Sequence, residues 1–243
     1  MRQAKDYIVF PLDVSSTDDA KRYVELLADH VGVFKVGYEL MIRSGPDIVR
    51  FINTAGGAGV FLDLKLHDIP ATVSRAMAGI VDLDIRFATV HCGETPKMLE
   101  AAVGASQGRV HILGVTVLTS MTDQDLQELG YTESATQRVL RLAAMSAASG
   151  LDGVVCSAME APELRRDRGE AFCLVTPGIR LAGDDAGDQR RVVTPAEPRR
   201  SRRRSERGKR LATATPKRLD RGSKKRWRSF PHVPRNPKPN HLF

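Results

Sequence analysis

The chain has 243 residues, 42% of them hydrophobic, and a formal net charge of +8. That length can bury a substantial core and suits a single α/β barrel, while the longest apolar runs fall far short of the ~20 residues a membrane span requires. The charge is unevenly spread: residues 198–243 hold 17 Lys+Arg against 2 Asp+Glu, or +15, leaving 20 against 27, or −7, on residues 1–197. The sequence therefore divides into an acidic globular body, 1–197, and a basic tail, 198–243, whose composition suits a disordered segment.

The start, "MRQAKDYIVF", is charged and lacks an apolar h-region, so no secretory leader is expected. "YIVFPLDV" (7–14) predicts the first strand, and Ser16 or Thr17 can cap the helix whose apolar face is Ala20, Tyr23, Val24 and Leu27. "VGVFKVG" (31–37) predicts a second strand, followed by the helical "PDIVRFINTAG". "GVFLDLKL" (59–66) predicts a third strand, and Pro70 opens the helix "PATVSRAMAGIV". "IRFATVHC" (85–92), "RVHILGVTVL" (109–118), "LDGVVCS" (151–157) and "AFCLVTP" (171–177) predict four more strands, with helical segments such as "ATQRVLRLAAMSAAS" between them.

Seven strands alternating with helices at roughly thirty-residue spacing imply parallel βαβ units. No Gly-rich dinucleotide fingerprint follows the first strand, so a (β/α)₈ TIM barrel fits better than an open doubly wound sheet. Cys92, Cys156 and Cys173 are odd in number and lack metal-type spacing, and they read as reduced thiols of a cytoplasmic protein. Chemistry in such a barrel gathers at the C-terminal ends of the strands. Those ends here carry Asp13, Lys35, Asp63 with Lys65, His91, Thr119, Ser157 and the stretch Thr176 to Arg180.

"FLDLKLHDIPAT" (61–72) is the most informative stretch. Alternation along a strand puts Asp63 and Lys65 on one face and Leu62, Leu64 and Leu66 on the other. The leucines would pack against helices, and the Asp–Lys pair would point into the barrel mouth with Asp13 and Lys35. An ammonium set among carboxylates in a partly dry pocket can donate a proton and oppose the charge of a developing carbanion. A plainer reading is a structural ion pair at Asp63–Lys65, with Asp68 capping the helix at Pro70. Against it, buried pairs are seldom net stabilising, and four charges converge here.

"LDLKLHDIPAT" resembles the Asp-x-Lys-x-x-Asp-Ile-Pro-x-Thr signature of the orotidine 5′-phosphate decarboxylase family. "PLDV", "FKVG", "VTVLTSM", "GLDGVVCSA", "LVTPGIR" and "GDQRRVVTPAE" resemble that family's segments, in its order, over about residues 7 to 197. The resemblance implies cofactor-free, metal-free decarboxylation of orotidine 5′-monophosphate to uridine 5′-monophosphate in de novo pyrimidine synthesis. It implies Lys65 as proton donor to C6, Asp63 crowding the departing carboxylate, and Lys35 and Asp68 completing the charge network. Asp68 would reach the neighbouring site of a homodimer. Asp13 and Lys35 would hold the ribose hydroxyls, Thr72 and Thr119 would contact substrate, and Arg180 and Gln189 would lie in a loop near the base and phosphate. His67, His91 and Ser157 are left structural.

After "RVVTPAE" the resemblance stops. The family continues with an Ala/Gly-rich helix, an apolar eighth strand ending in a Gly-Arg-Pro phosphate turn, and a last helix. This chain continues "PRRSRRRSERGKRLATATPKRLDRG", and Gly-Arg-Pro occurs nowhere in it. One explanation is a frameshift near Glu197, because alanine codons GCG-GCG read one base later give arginine codons CGG-CGG; the other is a natural basic extension. The eighth strand and last helix are then expected to be missing or replaced by the basic tail. That would leave the first and seventh strands with open edges and impair activity. Two other readings stand beside this one. The first is a metal-dependent sugar-phosphate decarboxylase or aldolase, against which "HDIP" and "TPGIR" argue. The second is an inactive barrel whose tail binds nucleic acid or another polyanion.

Overall fold

The computed structural model describes residues 3–93 and 95–179 and the backbone of Arg210–Ala214. A 3-10 turn at Ala4–Tyr7 leads into β1 (Ile8–Pro11). Ser16 caps α1 (Thr17–Leu27): its Oγ accepts from Asp19 N, and Asp18 and Asp19 set negative charge against the positive end of the helix dipole. β2 (Val33–Gly37) is followed by two short helices, α2 (Tyr38–Ser44) and α3 (Asp47–Ala55). β3 (Gly59–Leu66) leads to α4 (Pro70–Val81), which opens on proline as expected.

β4 (Phe87–His91), α5 (Pro96–Ser106) and β5 (His111–Val115) follow, then α6 (Asp123–Glu128) and α7 (Ala135–Ala148). In α7 a capping box joins Ser134 and Gln137, satisfying two backbone donors at the helix start. β6 (Gly153–Val155), α8 (Ala161–Arg168), β7 (Cys173–Ile179) and β8 (Arg210–Ala214) complete the order. All seven strands read from the sequence are present. Most are shorter than their apolar runs, because run ends such as Leu12 and Val117 stay buried in the loops.

The eight strands pair in parallel, in chain order, into a closed barrel. The eighth strand is supplied by the basic tail, the second of the two outcomes expected for it. Residues 210–214, "RLATA", lie in the slot between β7 and β1, with Val175 opposite Leu211 and Val9 opposite Thr213. The slot is filled by backbone pairing, which any non-proline residue can supply, and five residues suffice. A search for a long β-branched run passes over so short a segment. With the ring closed, the edges foreseen on β1 and β7 are paired.

Two apolar layers hold the barrel together. Val9, Val33, Phe61, Phe87, Leu113, Cys173 and Val175 fill its interior, where the Phe61 and Phe87 rings meet edge-on at 6.0 Å. The alternate residues, among them Phe10, Phe34, Val36, Val60 and Leu62, face the helices and join the larger outer core. Strands buried on both faces explain why their sequences read as nearly continuous apolar runs. Outside this scaffold, Glu133 ties the corner between α6 and α7, bonding Arg138 at 2.8 Å and Arg141 at 2.6 Å, while Arg138 stacks on Tyr131.

Two predictions follow from the packing. A Cβ on Gly153 would lie 2.1 Å from the Cys173 carbonyl oxygen, so one of the two backbones must move. Gly153→Ala is expected to cost about 1–3 kcal/mol and lower Tm by several degrees, as read by thermal denaturation. The hydrogen bond from Arg141, opposed by some burial and aided by Arg138, pulls the Glu133 carboxyl down to about 2. Its stabilisation is complete above the unfolded value of roughly 4.3 and is lost as pH falls toward 2. The Tm gap between wild type and Glu133→Gln should therefore narrow between pH 5 and pH 2.

Candidate active site

The inward-facing positions of the strands change character along the barrel axis. Val33, Phe61 and Phe87 form the apolar floor. Two residues further on, the same faces present Lys35, Asp63 and Thr89, and β1 continues into Asp13. The chemistry thus sits one pleat above a packed floor, at the C-terminal ends of the strands.

Four of the expected residues form one row. Lys35 Nζ lies 2.8 Å from Asp13 Oδ1 and 3.9 Å from Asp63 Oδ2, and Lys65 Nζ lies 3.0 Å from Asp63 Oδ1. The signs alternate, Asp13–Lys35–Asp63–Lys65, so each interior charge has opposite neighbours. Exposure falls from 54% at Asp13 to 15% at Lys35 and Asp63 and rises to 30% at Lys65. The row is anchored in the protein and open to the solvent side at both ends. Gly37 borders it: a Cβ there would stand 3.2 Å from Lys35 Nζ.

Lys65 is held unusually. Its backbone has φ of +44°, a left-handed conformation that costs a non-glycine residue roughly 1–3 kcal/mol. The β3–β4 ladder shifts register here: Leu62 pairs with Ala88 and Leu66 with Val90, so three residues of β3 face Thr89 alone. Simple alternation correctly gives the common face of Asp63 and Lys65 but omits this bulge. Tyr38 flanks the site, with its ring 5.8 Å from Lys65 Nζ and its hydroxyl donating to the Leu64 carbonyl.

Thr89 belongs to the site and was missed by sequence reasoning. It is buried, accepts from Lys65 N at 2.8 Å and donates to Asp63 Oδ1 at 3.0 Å. The available signal was a hydroxyl at an inward-facing position of the strand "FATVH", two residues past Phe87.

The other expected residues lie elsewhere. Asp68 does not join the row within this chain: it is exposed, and its Oδ1 accepts from the adjacent Ile69 N at 2.6 Å. Nor does it cap α4, whose N-cap position is Ile69 with no side-chain cap bond. Thr72 is half-buried in the first turn of α4, and Thr119 is buried in the loop after β5. Arg180 and Gln189 lie outside the described residues. His67 and His91 stack at 5.1 Å, and Ser157 Oγ accepts from Met159 N.

Beside the row, on the outer side of β3, a groove of about 450 Å³ opens between α2 and α4. Leu64, Leu66, Met41 and Val73 line its apolar part, and His67, Asp68 and Thr72 line its polar end. Among the described residues, no group of three or more His, Cys, Asp and Glu side chains is arranged to hold a metal ion, and no helix is long and apolar enough to cross a membrane. The three cysteines are buried and free, and burial pushes the Cys92 thiol up to about 11, which disfavours the nucleophilic thiolate.

Comparison with known proteins points to one family. The orotidine 5′-phosphate decarboxylase / HUMPS family model matches residues 6–203. Orotidine 5′-phosphate decarboxylase of Desulfosudis oleivorans is 46% identical over 203 residues, covering 81% of this chain and 82% of that protein. The enzyme of the same name from Methylacidiphilum infernorum is 45% identical over 193 residues, covering 79% and 84%. The crystal structure of orotidine 5′-phosphate decarboxylase from Lactobacillus acidophilus superposes with a TM-score of 0.71 at 31% identity, covering 85% of this chain and 88% of that one. The chain belongs to the orotidine 5′-phosphate decarboxylase / HUMPS family.

Proposed function

We propose that this protein decarboxylates orotidine 5′-monophosphate to uridine 5′-monophosphate without a cofactor, as a cytoplasmic enzyme of pyrimidine synthesis. The names of its relatives support the reaction, and one observation of this chain carries it: the alternating row Asp13–Lys35–Asp63–Lys65 at the strand ends. Breaking the C6–carboxylate bond releases carbon dioxide and leaves the electron pair on C6, where ring resonance delocalises it poorly. The reaction therefore needs a positive charge in place before the bond breaks, and a proton afterwards.

Lys65 meets both needs in this reading. Its ammonium opposes the developing charge, donates a proton to C6, and is reprotonated from solvent. Asp63 crowds the substrate carboxylate and so favours its departure. Asp13 and Lys35 bind the ribose hydroxyls, and Thr72, Thr119, Arg180 and Gln189 make the remaining substrate contacts. Binding energy from the phosphate, remote from C6, is expressed in the transition state.

Asp68 acts, in the same reading, in the site of a second copy. Its exposure and the engagement of its carboxylate by Ile69 N, outside the row, support this. So do nearby apolar residues: Ile42 is 81% exposed and Tyr38 52%, both lining the groove between α2 and α4, and Ile69, next to Asp68 in the chain, is 65% exposed. A homodimer formed across this face would cover them and bring each Asp68 toward the other copy's row.

Following the ultraviolet absorbance of the pyrimidine tests the reaction. Wild type should consume orotidine 5′-monophosphate and yield one uridine 5′-monophosphate per carbon dioxide. Lys65→Ala is expected to lose at least ~10³-fold in kcat/KM, since it removes both the counter-charge and the proton donor. Mixing inactive Lys65→Ala with inactive Asp68→Ala should restore roughly a quarter of the sites, because each hybrid dimer keeps one intact pair. No recovery on mixing would show that Asp68 serves its own chain.

A further inference from the structure

We propose that Thr89 is a positioning residue for the reaction, its hydroxyl fixing the backbone and the ammonium of Lys65 against a single oxygen of Asp63. The inference rests on the decarboxylase reading for the reaction it serves. Its geometry stands on three contacts that close a ring: Lys65 N donates to Thr89 Oγ1 at 2.8 Å, Thr89 Oγ1 donates to Asp63 Oδ1 at 3.0 Å, and Lys65 Nζ lies 3.0 Å from that same Oδ1.

The direction of each bond follows from the chemistry. A backbone N–H only donates and an ionised carboxylate only accepts, so a group between them must do both. Among small side chains a hydroxyl has this property. Thr89 is 1% exposed, so no bulk water is at hand to take its place. The register shift explains why a side chain is needed. Three residues of β3 stand against one of β4, and the Lys65 N–H is met by the Thr89 side chain. That bond helps to hold Lys65 in its left-handed φ of +44°.

The β-branched side chain adds stiffness, because threonine has a restricted χ1. The oxygen is thereby set at a fixed height above the Phe87 pleat, and the Asp63 carboxylate with it. The outcome is a lysine whose main chain and side chain are both referenced to one carboxylate oxygen. Thr89 touches neither the proposed substrate nor the proton in flight, and it acts through the two residues that do.

Thr89→Val keeps the shape and removes the donor and acceptor together, whereas Thr89→Ser keeps both and loses only stiffness. For Thr89→Val, kcat is expected to fall ~10–100-fold with KM changed less than about threefold, and Thr89→Ser should return within about fivefold of wild type. Circular dichroism checks that the variants are folded, and Thr89→Ala replaces the valine variant under the same criteria if that one is not. Amide hydrogen exchange at Lys65 gives a readout independent of turnover: protection should drop at least ~10-fold in Thr89→Val and recover in Thr89→Ser.

A Thr89→Val enzyme with kcat within twofold of wild type overturns the inference, as does a serine variant no better than the valine one. If wild type itself does not turn over orotidine 5′-monophosphate, the decarboxylase reading fails, and exchange alone judges the ring of contacts. Unchanged Lys65 protection in Thr89→Val would then overturn the positioning role, and loss with recovery in serine would uphold it.

Discussion

The pairing of Lys65 with Asp63 is the interaction around which this barrel mouth is arranged. An ammonium 3.0 Å from a carboxylate that is largely withdrawn from water is a poor source of stability, because desolvation offsets much of the attraction. The protein keeps the pair and extends it on the other side through Lys35 to Asp13. Alternating sign makes the row tolerable: neither interior charge faces a like neighbour across a short gap. The same alternation leaves a positive group at one end of the row, available to electron density on a bound molecule.

Holding that group in place requires both the floor beneath it and the irregularity beside it. The floor is the layer of Val33, Phe61 and Phe87, whose packing sets the height of Lys35, Asp63 and Thr89 one pleat above. The irregularity is the bulge in β3. It spends conformational energy at Lys65, and the bond to Thr89 together with the Tyr38 contacts hold the strained segment on two sides. Strain placed at a residue of proposed chemical importance, and surrounded by bonds that over-determine it, is a common arrangement at functional sites.

The outer face of β3 carries a different set of demands. Leu64 and Leu66 point away from the row into the groove between α2 and α4, beside the exposed Ile42. One strand thus supplies charge to the interior and apolar surface to the exterior, and "DLKLHD" encodes both in six residues. Asp68 follows directly on that strand and faces the groove, not the row. The eighth strand is built differently: "RLATA" is short and has a single β-branched residue, yet it closes the ring by backbone pairing in the slot between β7 and β1.

Seven strands, their helices, the barrel class and the charged row were legible in the sequence, because each rests on local periodicity. Apolar runs doubly buried by floor and helices read as strands, Pro70 and Ser16 announce helix starts, and a two-residue repeat puts Asp63 and Lys65 on one face. What tertiary structure alone decided depends on neighbours distant in the chain. Thr89 joins the site through a bulge that no alternation rule contains, since the register between β3 and β4 is set by which residues pair. Asp68 stands apart from the row because the chain turns outward at Ile69 into α4. The short eighth strand exists because β7 and β1 present complementary edges to it, and a single stretch of sequence carries no record of the edges it will meet.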